Sequence, residues 1–140
     1  MTSRLGLDTA TGVRCEERVI SRIANWEEFR NTRHLRHKPL IVAHRGVPVA
    51  LPENTLASFS LALEQGADVL ETDLRFTGDG EIVLFHDATL ERMTEGAGPL
   101  RDHTLAQVRR LRTWTPQRRL SDHRAPTLFE LLELTQARTP

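Results

Sequence analysis

Apolar positions change their period several times along this chain, and each change marks an element. Val19, Ile20, Ile23, Trp26 and Phe29 recur at three- and four-residue spacing, which predicts an amphipathic helix over residues 16–30. The polar residues 1–12 before it carry neither a helical nor a strand period and read as a loose tail. Residues 31–38 are basic through Arg33, Arg36 and Lys38, with His34 and His37 interleaved. No carboxylate or cysteine accompanies that histidine pair, so a solvated connector accounts for it.

From residue 40 the period shortens. Leu40, Ile41, Val42 and Ala43 form a continuous apolar run after Pro39, as expected of a strand buried on both faces of a parallel sheet, and the run delivers His44 at its end. Leu56, Phe59 and Leu63 then share one face of a helix that Gly66 closes as a left-handed cap. A second strand over residues 68–76 completes a βαβ unit. Its alternation sends Val69, Glu71, Asp73 and Arg75 to one face and Leu70, Thr72, Leu74 and Phe76 to the other. Gly78-Asp79-Gly80 signals a turn and residues 82–85 a returning strand, which predicts a hairpin with His86 at its end. After the loop at Gly96 to Pro99, Thr104 with Gln107 and Thr127 with Glu130 have capping-box spacing. They open two further helices, with Leu105, Val108 and Leu111 inward in one and Leu128, Leu131, Leu132 and Leu134 in the other. The pattern is α/β, divided into a tail (1–12), a helix with its basic connector (13–38) and a βα-rich part (39–140).

Composition narrows this picture. A chain of 140 residues with 39% hydrophobic and 27% charged positions can bury a core and is not of the disordered type. Nineteen basic and nineteen acidic residues cancel, so no overall basic field argues for nucleic acid, and any phosphate affinity must be local. The single Cys15 has no partner for a disulfide or a zinc pattern, and it reads as a small apolar side chain in a reducing compartment. No apolar stretch approaches the ~20 residues needed to span a bilayer. Residues 1–18 also lack the apolar core of a signal peptide, so a cytoplasmic location is expected.

The candidate chemistry gathers at strand ends. Glu71 and Asp73, at i,i+2, make a reasonable clamp for a hard divalent cation, although alternating acids also suit a solvated sheet face. His44 and His86 each end an apolar strand and would bring two groups titrating near neutrality to one rim, with the acidic pair between them in sequence. Phosphodiester hydrolysis needs such a pair, one ring to take a proton and one to give it. Arg45 suits bidentate contact with phosphate oxygens, and Gly46 lets the backbone approach closely. Glu53 and Asn54 precede the first helix and read equally as a helix start or as neighbours of a metal site. Asp87 could orient His86 or hold the loop, but adjacent strand residues point apart, which favours the loop. Trp26 and Trp114 are most simply packing residues.

Taken in order, His44-Arg45-Gly46, Pro52-Glu53-Asn54-Thr55, Glu71-Thr72-Asp73, Gly78-Asp79-Gly80, Val83 through His86-Asp87, Leu90 to Thr94, Gly96 with Gly98, and Pro126-Thr127-Leu128 resemble the glycerophosphodiester phosphodiesterase family. The resemblance implies a TIM (β/α)8 barrel, of which this chain would be the N-terminal portion, with a β-hairpin after the second strand and the barrel incomplete. It implies His44 and His86 as the acid/base pair, Arg45 as a phosphate ligand, and Glu71 and Asp73 as ligands of Ca²⁺ or Mg²⁺, with Glu53 near the metal. The implied reaction converts a glycerophosphodiester and water into glycerol 3-phosphate and an alcohol. A further family carboxylate and its accompanying Lys belong to a later strand, and no Glu-x-Lys matches them here. Weak or absent activity is therefore expected of this chain. The alternatives are a silent chain that binds a cation or phosphate, or pairs with another chain through open sheet edges, and a lyase that forms a cyclic phosphate.

Overall fold

The computed structural model describes residues 39–136, so the tail, the helix expected over 16–30, the basic connector, Cys15 and Trp26 lie outside the described residues. Strand β1, Val42–His44, leads through a loop into helix α1, Leu56–Glu64, and back to strand β2, Val69–Glu71. The two strands are parallel, with Val42 opposite Val69, Ala43 opposite Leu70 and His44 opposite Glu71. This is the expected βαβ unit. Helix α1 starts at Thr55, whose hydroxyl accepts the Ser58 N–H, and not at Glu53 or Asn54. Gly66, at φ +82°, ends it by donating its N–H to Leu63 O, as its position suggested.

Two expectations fail in instructive ways. Residues 68–76 are not one strand. After Glu71 the chain leaves β1, and β3, Leu74–Phe76, pairs antiparallel with β4, Ile82–Leu84, in a separate two-stranded sheet. The crossover is fixed at Asp73, whose carbonyl accepts the Phe85 N–H at 3.0 Å. The alternation therefore stops carrying face information at Thr72 and Asp73. Nor is the first apolar run buried on both sides: Ala43 is 8% exposed, whereas Ile41 and Val42 are 60% and 53% exposed. Alternate positions of a strand face opposite ways, but Ile41 and Val42 are neighbours, so both faces of this strand meet solvent near its start.

The hairpin turn and both capping boxes form as expected. Thr77 closes the turn by accepting the Glu81 N–H on its hydroxyl. Thr104 and Gln107 cap α2, Leu105–Val108, and Thr127 and Glu130 exchange hydrogen bonds at the start of α3, Leu128–Gln136. Strand β4 separates two clusters of buried side chains. Val83 and Phe85 pack with Leu90, Met93, Leu100, Val108 and Ala125, while Leu84 on the opposite face packs with Phe59 of α1 and Leu131 of α3. On α3, Leu128 and Leu134 join that second cluster, but Leu132 stays 47% exposed. Each fully buried large apolar side chain contributes about 1.5–3 kcal/mol, so β4 anchors both halves of the core.

Candidate active site

His44 closes β1 and lies in register with Glu71 at the end of β2. Its Nε2 is 3.7 Å from Glu71 Oε2, an ion-pair distance too long for a hydrogen bond. The next residue, Arg45, turns out of the strand at φ 59° and donates its N–H to Glu71 O. Its guanidinium bends inward, with Nη1 donating to Glu53 Oε1 at 3.2 Å and Nε 2.8 Å from Asp73 Oδ2. The Nε contact is one of charge, because the N–H is not aligned with that oxygen. Asn54, buried and at φ 56°, donates to Asp73 Oδ2 and accepts from the Thr72 hydroxyl, so it pins the two residues at the strand crossover.

His86 follows β4 and is held from two sides. Arg75 donates from Nε and Nη2 to its carbonyl oxygen at 3.0 and 2.8 Å, and its ring Nδ1 lies 2.6 Å from Asp87 Oδ1. Asp87 is off the strand, so the alternation argument against its orienting His86 does not apply to it. Arg92 completes the arrangement by contacting both Asp87 oxygens and both Glu53 oxygens. Sequence reasoning gave Arg92 no role. Its partner Glu53 lies 39 positions away, and no spacing rule reaches that far.

These contacts set the charges. The Arg92 hydrogen bonds, helped by His86 and opposed by burial, hold the Asp87 carboxyl below its ordinary range. Burial alone would raise Glu53, but the hydrogen bonds and charges of Arg92 and the charge of Arg45 outweigh it and keep that carboxyl low as well. Arg92 is raised in turn, first by Glu53 and then by Asp87, and stays cationic throughout the working pH range. One chain of ion pairs and hydrogen bonds thus runs from Asp73 through Arg45, Glu53, Arg92 and Asp87 to His86. Beside it opens a cleft of about 200 Å³ lined by Pro52, Glu53, Arg92 and Trp114. Trp114 is half-buried and donates its indole N–H to Thr94 O, so it packs as expected while also facing this cleft.

The donor set suits a hard cation in part. Glu71 Oε2 is buried without a hydrogen-bond partner, a carboxylate oxygen left for a cation to satisfy. Asp73 supplies a second carboxylate, already shared with Arg45 and Asn54. Among the described residues, no group of three or more His, Cys, Asp or Glu side chains is placed to hold a metal.

His44 and Glu71 thus end the two parallel strands, with Arg45 and Asp73 just beyond them. The family profile described as glycerophosphoryl diester phosphodiesterase matches residues 44–139, and the chain belongs to that family. A glycerophosphodiester phosphodiesterase of Caldanaerobacter subterraneus subsp. tengcongensis is 42% identical over 98 residues, covering 69% of this chain and 40% of that protein. A glycerophosphoryl diester phosphodiesterase crystal structure from Parabacteroides distasonis superposes with TM-score 0.67 at 37% identity, over 72% of this chain and 36% of the other. An Oleispira antarctica phosphodiesterase, solved in complex with the product sn-glycerol-3-phosphate, superposes with TM-score 0.64 at 37% identity, over 71% of this chain and 40% of that one. The likeness implies the TIM-barrel fold, and the chain spans about 40% or less of these proteins' lengths. Among the described residues no helix is long and apolar enough to cross a membrane.

Proposed function

We propose that this chain carries the N-terminal half of a glycerophosphodiester phosphodiesterase site, for hydrolysis of a glycerophosphodiester to glycerol 3-phosphate and an alcohol. The observation that carries the reading is the continuous polar chain from Asp73 to His86, which ties candidates from four separate segments into one arrangement. Arg45 has N–H groups left on Nη2 after its contacts with Glu53 and Asp73, and these bind a phosphate oxygen. His44 and His86 share the two proton transfers. As water attacks phosphorus one imidazole takes its proton, and as the P–O bond to the alcohol breaks the other ring protonates the departing oxygen. His86 has Nδ1 committed to Asp87, so it works through Nε2.

Glu71 and Asp73 would hold a Ca²⁺ or Mg²⁺ ion, with Glu53 and Asn54 as its neighbours. Such an ion, when bound, polarises the phosphate and neutralises developing charge. Two carboxylates are a small ligand set for a hard cation, so turnover by these 140 residues is expected to be weak. The lack of a third ligand among the described residues also supports a second reading, in which the barrel is incomplete and the chain binds a cation or phosphate, or pairs with another chain through its sheet edges, without turnover.

Phosphorus NMR of glycerophosphocholine incubated with the chain and Mg²⁺ or Ca²⁺ tests both. Slow release of glycerol 3-phosphate, abolished by EDTA and by His44→Ala, is the expected result. A cyclic phosphate product would replace hydrolysis with the lyase reading. No turnover, with glycerol 3-phosphate still shifting the amide signals of His44 and Arg45, would leave the silent reading, and no shift at all would overturn both.

A further inference from the structure

We propose that Arg92 is a positioning residue that fixes His86 in one tautomer by clamping Asp87 against Glu53. The proposal rests on the reading of His86 as a proton-transfer group. Its basis is a donor count. A guanidinium has five N–H groups, and all five of Arg92 have partners: Nε and one Nη2 hydrogen face the Asp87 carboxylate, the other Nη2 hydrogen and one on Nη1 face the Glu53 carboxylate, and the last on Nη1 meets Met93 Sδ. Arg45 differs in having Nη2 uncommitted. Of the two guanidiniums, Arg45 can reach a substrate phosphate and Arg92 has nothing left to offer one.

What Arg92 does instead follows from Asp87. That carboxylate is ionised and can only accept, so the ring nitrogen 2.6 Å from its Oδ1 must donate. In its neutral state His86 is thereby the Nδ1–H tautomer, which leaves Nε2 as the proton acceptor, the logic of any histidine oriented by a carboxylate. Apart from His86, the side-chain contacts of Asp87 are to Arg92. Arg92 ties it to Glu53, next to Asn54 and the start of α1. Arg75 meanwhile holds the His86 carbonyl, so ring and backbone are fixed independently. A lysine cannot span two carboxylates as a planar fork does, so Arg92→Lys should restore only part of the effect.

Long-range ¹H–¹⁵N NMR of the neutral His86 ring in the labelled 140-residue chain reads the tautomer directly and needs no turnover. A charge-assisted hydrogen bond biases the ratio by roughly tenfold. The wild-type ring is expected almost wholly as Nδ1–H, Arg92→Met to lose most of that roughly tenfold preference, and Arg92→Lys to fall between. An unchanged ratio in folded Arg92→Met overturns the proposal. Should that variant not fold, Glu53→Gln takes its place: it weakens the far anchor and leaves Asp87 intact, and an unchanged ratio there overturns the proposal equally. A chain without turnover whose ratio shifts as expected would sink the activity reading alone, and an active chain with an unchanged ratio would sink only the role of Arg92.

Discussion

Gly46 shows how a residue can be picked out correctly for an incomplete reason. The sequence suggested close backbone approach to a phosphate, but the approach in the structure is to α1. A Cβ at Gly46 would lie 2.3 Å from Ser58 Oγ and 2.7 Å from Ser58 C, and the backbone is at φ +86°. Ser58 is itself buried and accepts the Val47 N–H at 2.7 Å, so it cannot retreat without losing that bond. Gly46→Ala is expected to cost about 3 kcal/mol, from overpacking together with left-handed strain, read as a lower urea midpoint. Asn54 was legible as a helix start or a neighbour of a metal site, but its ties to Thr72 and Asp73 were not, because they span 18 and 19 positions. Asn54→Ala removes two partly buried hydrogen bonds at a positive φ and is expected to destabilise by about 2–4 kcal/mol, with the largest amide shifts at Thr72 and Asp73.

At the scale of elements, what the sequence disclosed were local devices. The Gly66 cap, the hairpin turn and both capping boxes depend on residues within four positions of one another, and all form. The split of residues 68–76 was not legible. Strand alternation continues unbroken through Thr72 and Asp73, while the contacts that hold the crossover come from Asn54, well before it in the chain, and Phe85, well after it. The exposure of Ile41 and Val42 was hidden for a related reason, since an apolar run states what a strand could bury and not what covers it. Phe59 tests the packing that holds the βαβ unit to the rest. It is fully buried between Leu84 of β4 and Leu131 of α3, three elements joined at one side chain. Phe59→Ala is expected to cost about 3–5 kcal/mol. Hydrogen exchange should rise in α1 and α3 together, and a rise confined to α1 would show that the cluster does not couple them.

For the molecule as a whole, a net charge of zero says little, because the charges that matter are paired in one place. Glu53 and Asp87 both have carboxyls held below their ordinary values of 4.5 and 3.8 by Arg92 and its neighbours. A depressed folded-state value means that the unfolded chain takes up protons first as pH falls. The stabilisation is therefore complete above the ordinary values and lost progressively as pH drops below about 4.5 and through the folded values. Urea midpoints measured from pH 7 downward should stay level and then fall steeply in that acid window. Arg92→Met removes the cation responsible for most of the depression, so its curve should start lower at pH 7 and fall less steeply below pH 4.5, converging with the wild type in acid. Parallel curves would mean that other carboxylates govern the acid limb, with Glu95 held low by Arg112 and Glu130 by Thr127 and Arg109 as the next to replace. The carboxylates of those two pairs are more exposed than Glu53 and Asp87, so solvent screens them more and they contribute less to the acid limb. The acid stability of the chain should thus follow the same few contacts that join its candidate catalytic residues.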